Sequence, residues 1–265
     1  MDSLTFIGTA TTVLRLGSFT VLTDPNFLRV GQRAYLGKGL WSRRLTSPAM
    51  SPAELPPLDA VVLSHLHGDH WDRVTRRELT RTPPVLTTTV AADRIEKQGF
   101  TAHGLDTWQE HKVTKGDETL RVQALPGIHA RGLLAKVLPP VMGSMLEHRV
   151  GPEVRLRVYL SGDTLTGDHL DAIAERHPDI DVAVMHLGGT RVLAHLVTMD
   201  AEQGVDFLRR IRPGTAVPVH YDDYGVFRSP LSQFLLRAQQ SGQRGLVQTV
   251  ERGATVELTA RPPSA

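Results

Sequence analysis

Cysteine is absent from all 265 residues of the sequence. Disulfide bonds, thiolate metal sites and a cysteine nucleophile are therefore excluded. An excess of charge of either sign is also missing, because 30 Lys and Arg side chains stand against 28 Asp and Glu side chains. So small a net charge gives no support for nucleic-acid binding without excluding it, and we expect no nucleic-acid partner.

Long apolar runs are missing as well, since none approaches the roughly 18 residues that a membrane-spanning helix needs. The first residues lack the charged and apolar regions of a signal peptide, so we expect a cytoplasmic protein without a transmembrane segment. The hydrophobic fraction of 40% and the charged fraction of 22% are typical of a globular protein. With no internal repeat and no linker, the sequence predicts a single domain over 1–265.

Short strands and helices are predicted to alternate along the chain. Three strands open it, and a long connection containing glycine and proline follows over 26–57. The apolar run Ala60–Ser64 predicts a buried strand, and a helix is predicted from near His70 to about Thr80. Further strands and helices follow, and the tail at 261–265 is predicted to be frayed. This order favours a layered α/β architecture.

Histidine is abundant, at 12 residues, and three histidines follow the predicted buried strand in His65-Leu66-His67-Gly68-Asp69-His70. In an extended backbone His65 and His67 point to the same side, so both imidazoles can reach one metal ion. Asp69 and His70 come after the turn at Gly68 and can reach a second ion nearby. Four ligand-type side chains at this spacing predict a metal site.

This segment resembles the signature of the metallo-β-lactamase superfamily, in which H-x-H-x-D-H follows an apolar strand. The resemblance implies three further ligands, and the sequence supplies each in the expected order: His129, Asp163 and His220. It extends over nearly the whole chain. It implies an α/β fold, the αββα sandwich, with two β-sheets packed face to face, helices on the outer faces and metal at one edge.

Two pairs of segments are similar to one branch of this superfamily, the ascorbate-6-phosphate lactonase-like and N-acylphosphatidylethanolamine phospholipase D-like hydrolases. They are Phe6–Leu14 with Asp24-Pro25, and Met199–Gly204 with His220–Asp223. The chain departs from the branch at Thr9, where histidine is frequent. The resemblance also implies that Asp24 orients a ligand imidazole, although an ordinary turn residue before proline is the alternative.

The resemblance implies two metal ions with Asp163 as the bridging ligand. One ion would be held by His65, His67 and His129, and the other by Asp69, His70 and His220. Imidazoles and carboxylates without thiolates suit Zn²⁺, with Mn²⁺ or Fe as competitors. The predicted function is hydrolysis of an ester-like bond by a hydroxide held between the ions, in a lactone, a phosphodiester or a related ester.

Three residues are candidates for a direct catalytic part: Asp69, His186 and His195. His186 ends a predicted strand and His195 lies in the next loop, so either could contact the substrate or donate a proton. The alternative for both histidines is a surface or packing position, which most histidines outside metal sites occupy.

The segment from 131 to 150 has an apolar centre, 132–146, with a single charge, and both its ends are anchored near predicted ligands. An exposed apolar segment needs something to cover, so we predict a wall or lid. Together with the loop Phe27–Trp41 it would receive an apolar part of a small-molecule substrate. Packing of the same segment into the core is the alternative. The oligomeric state stays open.

Other functions on the same fold are weighed against hydrolysis. An iron-dependent oxidoreductase is the first alternative. The flavo-di-iron members of the superfamily carry glutamate where this chain has His67, which favours hydrolysis, but the iron-bearing dioxygenase members keep histidine there. A β-lactamase would lack the bridging carboxylate of Asp163, and the large additional domain of the β-CASP nucleases has no space here. A non-catalytic metal-binding protein is disfavoured because all seven ligands are present.

Overall fold

Two β-sheets, of seven and six strands, form the centre of the computed structural model, which describes residues 1–261. The strands are β1 Ser3–Gly8, β2 Thr11–Leu16, β3 Phe19–Thr23, β4 Arg33–Tyr35, β5 Trp41–Arg43, β6 Ala60–Val62, β7 Val85–Thr88, β8 Ala102–Leu105, β9 Glu110–Lys115, β10 Glu118–Pro126, β11 Met142–Val150, β12 Glu153–Leu160, β13 Val182–His186, β14 Arg191–Val192, β15 His195–Leu196, β16 Thr215–Val219 and β17 Thr255–Glu257. The α-helices are α1 Arg73–Glu78, α2 Thr89–Glu96, α3 Asp168–Arg176, α4 Ala201–Ile211 and α5 Leu231–Gln240.

The first sheet has the strand order β17-β1-β2-β3-β6-β7-β8, and the second has the order β16-β13-β12-β11-β10-β9. Each sheet is mixed. In the first, β17, β1, β2 and β3 pair antiparallel and β3, β6, β7 and β8 pair parallel. In the second, β9 to β12 pair antiparallel and β12, β13 and β16 pair parallel. Two separate hairpins, β4–β5 and β14–β15, lie outside these sheets.

The main core lies between the two sheets and follows from the period of two in each strand. Leu14 and Val21 pack into this central core, whereas their chain neighbours Val13 and Leu22 pack into a second core on the outer face of the first sheet. Apolar side chains on both faces of a strand demand a covering layer on both faces. The sequence therefore requires helices outside the sheets.

Helices supply those outer layers. On the first sheet, Ala92 and Ile95 of α2 pack into the outer core. On the second sheet, α3, α4 and α5 contribute Ile173, Phe207 and Phe234 to the apolar packing. The αββα sandwich is thereby confirmed. Among the residues that the structure describes, no helix has both the length and the apolar character needed to cross a membrane.

The ends of several strands from both sheets lie at one edge of the sandwich. Strands β12, β13 and β16 run parallel, and β10 runs in the same direction because two antiparallel steps separate it from β12. In the first sheet β3 and β6 end together. Loops that follow these strands therefore meet at one edge, where α/β proteins build their sites.

Two expectations from the sequence need correction. The helix predicted from His70 begins only at Arg73, because Asp72 caps it and accepts a hydrogen bond from the Thr75 amide. The apolar segment 131–150 is divided: 142–150 is strand β11, which is buried between its neighbours in the second sheet. Residues 262–265 of the tail that was predicted to be frayed lie outside the described residues. The prediction of a single domain over 1–265 stays a prediction.

Candidate metal centre

The seven predicted ligands lie in loops that follow strand ends at the common edge. They come after β6 (His65, His67, Asp69 and His70), after β10 (His129), after β12 (Asp163) and after β16 (His220). All are buried except His67, which is partly exposed. The structure therefore brings together every residue that the sequence assigned to the metal site.

The loop 63–72 keeps its shape through contacts with the β4–β5 hairpin. The amide of Gly68 donates to the Tyr35 carbonyl oxygen at 2.9 Å. A Cβ atom at Gly68 would lie 2.6 Å from that same oxygen, so a side chain at this position would force the two segments apart. Glycine at the turn thus allows the ligand loop and the hairpin to approach closely.

Three imidazole nitrogens converge on the first predicted metal position. His67 Nδ1 lies 2.9 Å from His65 Nε2 and 3.3 Å from His129 Nε2. Nitrogens this close to one another can share a single tetrahedral ion. His129 donates from Nδ1 to the Val197 carbonyl oxygen at 2.9 Å, which leaves Nε2 free as a ligand.

A second group of ligand atoms lies beside the first. His220 Nε2 is 3.4 Å from Asp69 Oδ2, and His70 Nε2 is 3.2 Å from Asp163 Oδ2. Asp163 Oδ2 is also 3.9 Å from His65 Nε2 of the first group. Its carboxylate therefore lies between the two groups, as a bridging ligand must. His220 donates from Nδ1 to the Leu187 carbonyl oxygen, which again leaves Nε2 for a metal.

Asp24 contacts His70, a member of the second ligand group. Its Oδ1 lies 3.4 Å from His70 Nδ1 and accepts a hydrogen bond from the Ser64 amide, while Oδ2 pairs with His186 Nε2 at 3.2 Å. Burial alone would raise the pKa of Asp24, but the His70 and His186 imidazoles together lower it below its ordinary value. This ionised carboxylate orients the His70 ring, as the resemblance implied.

The remaining catalytic candidates occupy different surroundings. Asp69 lines the cavity that faces the metal centre. His186 is buried behind Asp24, where burial lowers its pKa, and it does not line that cavity. His195 is exposed in the β14–β15 hairpin and does not line it either. The geometry gives His186 contact with Asp24, and direct catalytic parts for His186 and His195 stay predictions.

The ligand atoms fit a metal centre because some of them are buried without a hydrogen-bond partner. Asp69 Oδ1 and Asp163 Oδ1 are buried and have no hydrogen-bond partner. Burial, reinforced by the neighbouring imidazoles, lowers the pKa of His65, and burial lowers that of His67 to about 3. Neutral imidazoles are the form that binds metals. Triplets of ligand atoms within 4.8 Å of one another include His65, His67 and His129, and also Asp69, His70 and His220.

A cavity of about 390 Å³ opens onto the metal centre. Its floor carries His67, Asp69, His129 and Asp163. Its walls come from three segments, 36–41, 134–138 and 190–198. The first two lie within the stretches expected to form a wall. The wall in the second stretch comes from residues before Pro139, and not from the buried strand β11.

A buried network that the sequence does not predict lies beneath the ligand loop. The Arg44 guanidinium contacts Asn26 Oδ1 and lies 3.2 Å from Asp223 Oδ1, and its carbon lies 5.2 Å from the centre of the Tyr224 ring. Asn26 donates in turn to the Gly68 carbonyl oxygen at 3.0 Å. No local pattern marks these residues, because they become neighbours only when distant loops meet.

Comparison with known proteins identifies the family of this chain. A family model described as the Beta-lactamase superfamily domain matches residues 20–221. A UPF0173 metal-dependent hydrolase of Exiguobacterium sp. is 25% identical over 256 residues, which cover 97% of this chain and 100% of that protein.

Solved structures share the fold over nearly all of the chain. An isothiocyanate hydrolase from Delia radicum gut bacteria has a TM-score of 0.82 at 20% identity, covering 97% of this chain and 100% of its own. A protein of Veillonella parvula described as a possible metal-dependent hydrolase has a TM-score of 0.81 at 22% identity, with the same coverage. The branch proposed from the sequence stays a prediction. Since the family model spans most of the chain, the protein belongs to the metallo-β-lactamase superfamily.

Proposed function

We propose that the protein is a dinuclear hydrolase that cleaves ester-like bonds in small molecules with an apolar part. One observation carries the proposal: two adjacent groups of ligand atoms, with the Asp163 carboxylate between them, face the floor of an apolar-walled cavity. A single metal would leave one of the two groups unused, and its buried donors would then lack partners.

In this proposal His65, His67 and His129 hold one divalent ion, Asp69, His70 and His220 hold the other, and Asp163 bridges them. Ions held there would supply the charge that lowers the pKa of water and polarises a scissile bond. With imidazole and carboxylate donors only, Zn²⁺ is the expected metal and Mn²⁺ or Fe are the competitors.

The protein's own residues hold this arrangement in place. The carbonyl oxygens of Val197 and Leu187 fix the ring orientations of His129 and His220, and Asp24 does so for His70. These partners keep the reactive geometry from relaxing when the substrate enters. The apolar walls exclude water from the floor of the cavity, which strengthens electrostatic interactions there.

We expect the protein, purified without chelators, to contain about two transition-metal ions per chain, the number that the two ligand groups can hold. Elemental analysis by mass spectrometry measures this directly. His129→Ala should lower the content to about one ion, because it removes a ligand of the first group only. His195→Ala is the matched control, since that histidine is exposed in the β14–β15 hairpin, and it should keep both ions.

A content near zero that added Zn²⁺, Mn²⁺ or Fe²⁺ does not restore would refute the site. The reaction itself is tested with a panel of p-nitrophenyl esters, a lactone and a phosphodiester. An aryl isothiocyanate belongs in the panel because an isothiocyanate hydrolase shares the fold. Turnover of none of these by the metal-loaded protein, together with oxygen consumption by an iron-loaded form, would favour the oxidoreductase alternative.

A further inference from the structure

We infer that the cavity above the metal centre selects neutral carboxylic esters or lactones with an aliphatic or aryl arm, and that the Thr190 hydroxyl holds a polar atom of the substrate beside the scissile bond. The inference rests on the proposed function and narrows its substrate class. It follows from how polar and apolar groups are distributed around the cavity.

Apolar side chains form the walls, and hydrogen-bonding groups concentrate at the floor. Leu36 and Trp41 come from the β4–β5 hairpin, Leu134 and Leu138 from the turn after His129, and Val192 from the β14–β15 hairpin. A cavity of about 390 Å³ with such walls has the size and character of a site for a small, largely apolar ligand. An apolar arm would gain by leaving water for these walls.

The positive charges at the cavity do not suit a phosphorylated substrate. Lys38 and Arg191 are the lysine and arginine among its lining residues, and both side chains are exposed to solvent. The Arg191 guanidinium is already engaged, at 3.5 Å from Asp200 Oδ2 and 3.2 Å from the Ala194 carbonyl oxygen. Recognition of a phosphate needs cations or amides directed at it. This distribution favours a neutral ester over a phosphodiester.

Thr190 is a polar residue of the wall whose hydroxyl has no partner among the described residues. Its side-chain oxygen is buried and has no hydrogen-bond partner, and only 8% of the residue is exposed. Its backbone is fixed, because its amide donates to Thr198 Oγ1 at 2.8 Å and its carbonyl oxygen accepts from the Val197 amide at 2.9 Å. Val197 in turn accepts from the ligand His129. A buried hydroxyl without a partner is unfavourable unless a ligand pairs with it.

The test uses neutral methyl ketones from 2-butanone to 2-nonanone, which carry an acceptor oxygen and an apolar arm but no hydrolysable bond. Binding to the metal-loaded protein is followed by the fluorescence of Trp41, which lines the cavity. We expect Kd to fall about threefold for each added methylene until the cavity is filled. Thr190→Val should raise Kd about fivefold for every ketone, and Thr190→Ser should restore it, since one neutral hydrogen bond is lost and regained.

Two matched pairs separate recognition from stability. Leu134→Asp should raise the Kd of 2-nonanone at least about tenfold, because it places a charge against the apolar arm. Leu133→Asp changes the adjacent residue of the same turn, which is 81% exposed and does not line the cavity, and should leave Kd unchanged. Thr87→Val removes another buried hydroxyl without a partner, in β7, and should leave Kd unchanged as well.

Equal effects of Leu133→Asp and Leu134→Asp, or a Kd independent of chain length, would overturn the inference. Parallel assays with p-nitrophenyl acetate and octanoate distinguish this failure from failure of the proposed function. If both esters are cleaved with equal kcat/KM, the reaction stands and the inference is wrong. If the ketones bind as expected and no ester is cleaved, the cavity assignment stands and ester hydrolysis is wrong.

Discussion

Asp163→Asn is expected to lower kcat/KM by about 10³-fold or more for whichever ester the protein cleaves, with little change in the fold. The substitution keeps the shape of the side chain and removes its charge. Asp163 Oδ2 lies 3.2 Å from His70 Nε2 and 3.9 Å from His65 Nε2, so its carboxylate is within 4 Å of an imidazole in each ligand group. Burial would raise the pKa of Asp163, but His220 and His70 hold that pKa well below the ordinary value. The substitution therefore replaces a carboxylate anion with a neutral amide.

Steady-state kinetics and metal analysis of the same preparation measure the effect. Metal content should fall below two ions per chain because the bridging ligand is lost. Asp168→Asn is the matched control: this carboxylate lies five positions further on, exposed in the first turn of α3, and its removal should leave both activity and metal content unchanged. Activity within tenfold of the unaltered protein in Asp163→Asn would argue against a bridged pair of ions.

The ligands could be predicted from the sequence because each stands directly after a strand that is itself legible. His65 to His70 follow the apolar run that became β6, and Asp163 and His220 follow β12 and β16. When strands run in the same direction, their ends meet at one edge, so position along the chain translates into position in space. The resemblance supplied the order, and the topology explains why that order brings the side chains together.

The apolar segment 131–150 could not be resolved from the sequence for a definite reason. A strand buried on both faces, such as β11, and a wall that lines a cavity are both rich in apolar residues and lack alternation. In this chain both roles fall to neighbouring residues of similar composition. Residues in 134–138 line the cavity, and β11 pairs with β10 and β12 in the core. The boundary falls after Pro139-Pro140, which is the one local signal that separates them.

The contacts that hold the ligand loop from beneath could not be predicted from the sequence, because their partners are far apart along the chain. The carboxylate of Asp223 accepts a hydrogen bond from the Thr9 amide. The backbone is in the left-handed region at Thr9, where φ is 55°, and at His220, where φ is 63°. Non-glycine residues tolerate such backbone only when their surroundings hold them there. The amide of His220 also donates to the Thr9 carbonyl oxygen. Contacts across more than 200 positions of sequence leave no pattern that a reader of the chain can detect.

Arg44 is the residue on which that support depends. It is fully buried, its Nε donates to the Thr46 carbonyl oxygen at 2.8 Å, and its Nη2 lies 3.2 Å from Asp223 Oδ1. It also contacts Asn26, which holds the Gly68 carbonyl oxygen in the ligand loop. The guanidinium thus joins the β4–β5 hairpin, the ligand loop and the segment after His220 in one network.

Arg44→Met is expected to lower the free energy of unfolding by about 3 kcal/mol. Methionine fills much of the same volume, so the loss comes from charge: the fully buried carboxylate of Asp223 keeps Arg252, at 3.0 Å, but loses its buried cation. Urea denaturation followed by circular dichroism measures the change. Arg43→Met is the matched control, because that neighbouring arginine is exposed, and it should shift the unfolding free energy by less than about 0.5 kcal/mol.

A double-mutant cycle with Asp223→Asn assigns the loss to the ion pair. If the pair is responsible, the double variant should be less destabilised than the sum of the two single variants by at least about 1 kcal/mol. Additive effects would show instead that Arg44 acts through its packing on Tyr224 and its other hydrogen bonds. The unfolding measurements are made on chelated protein, so that any loss of metal affinity in Arg44→Met does not add to the measured stability change.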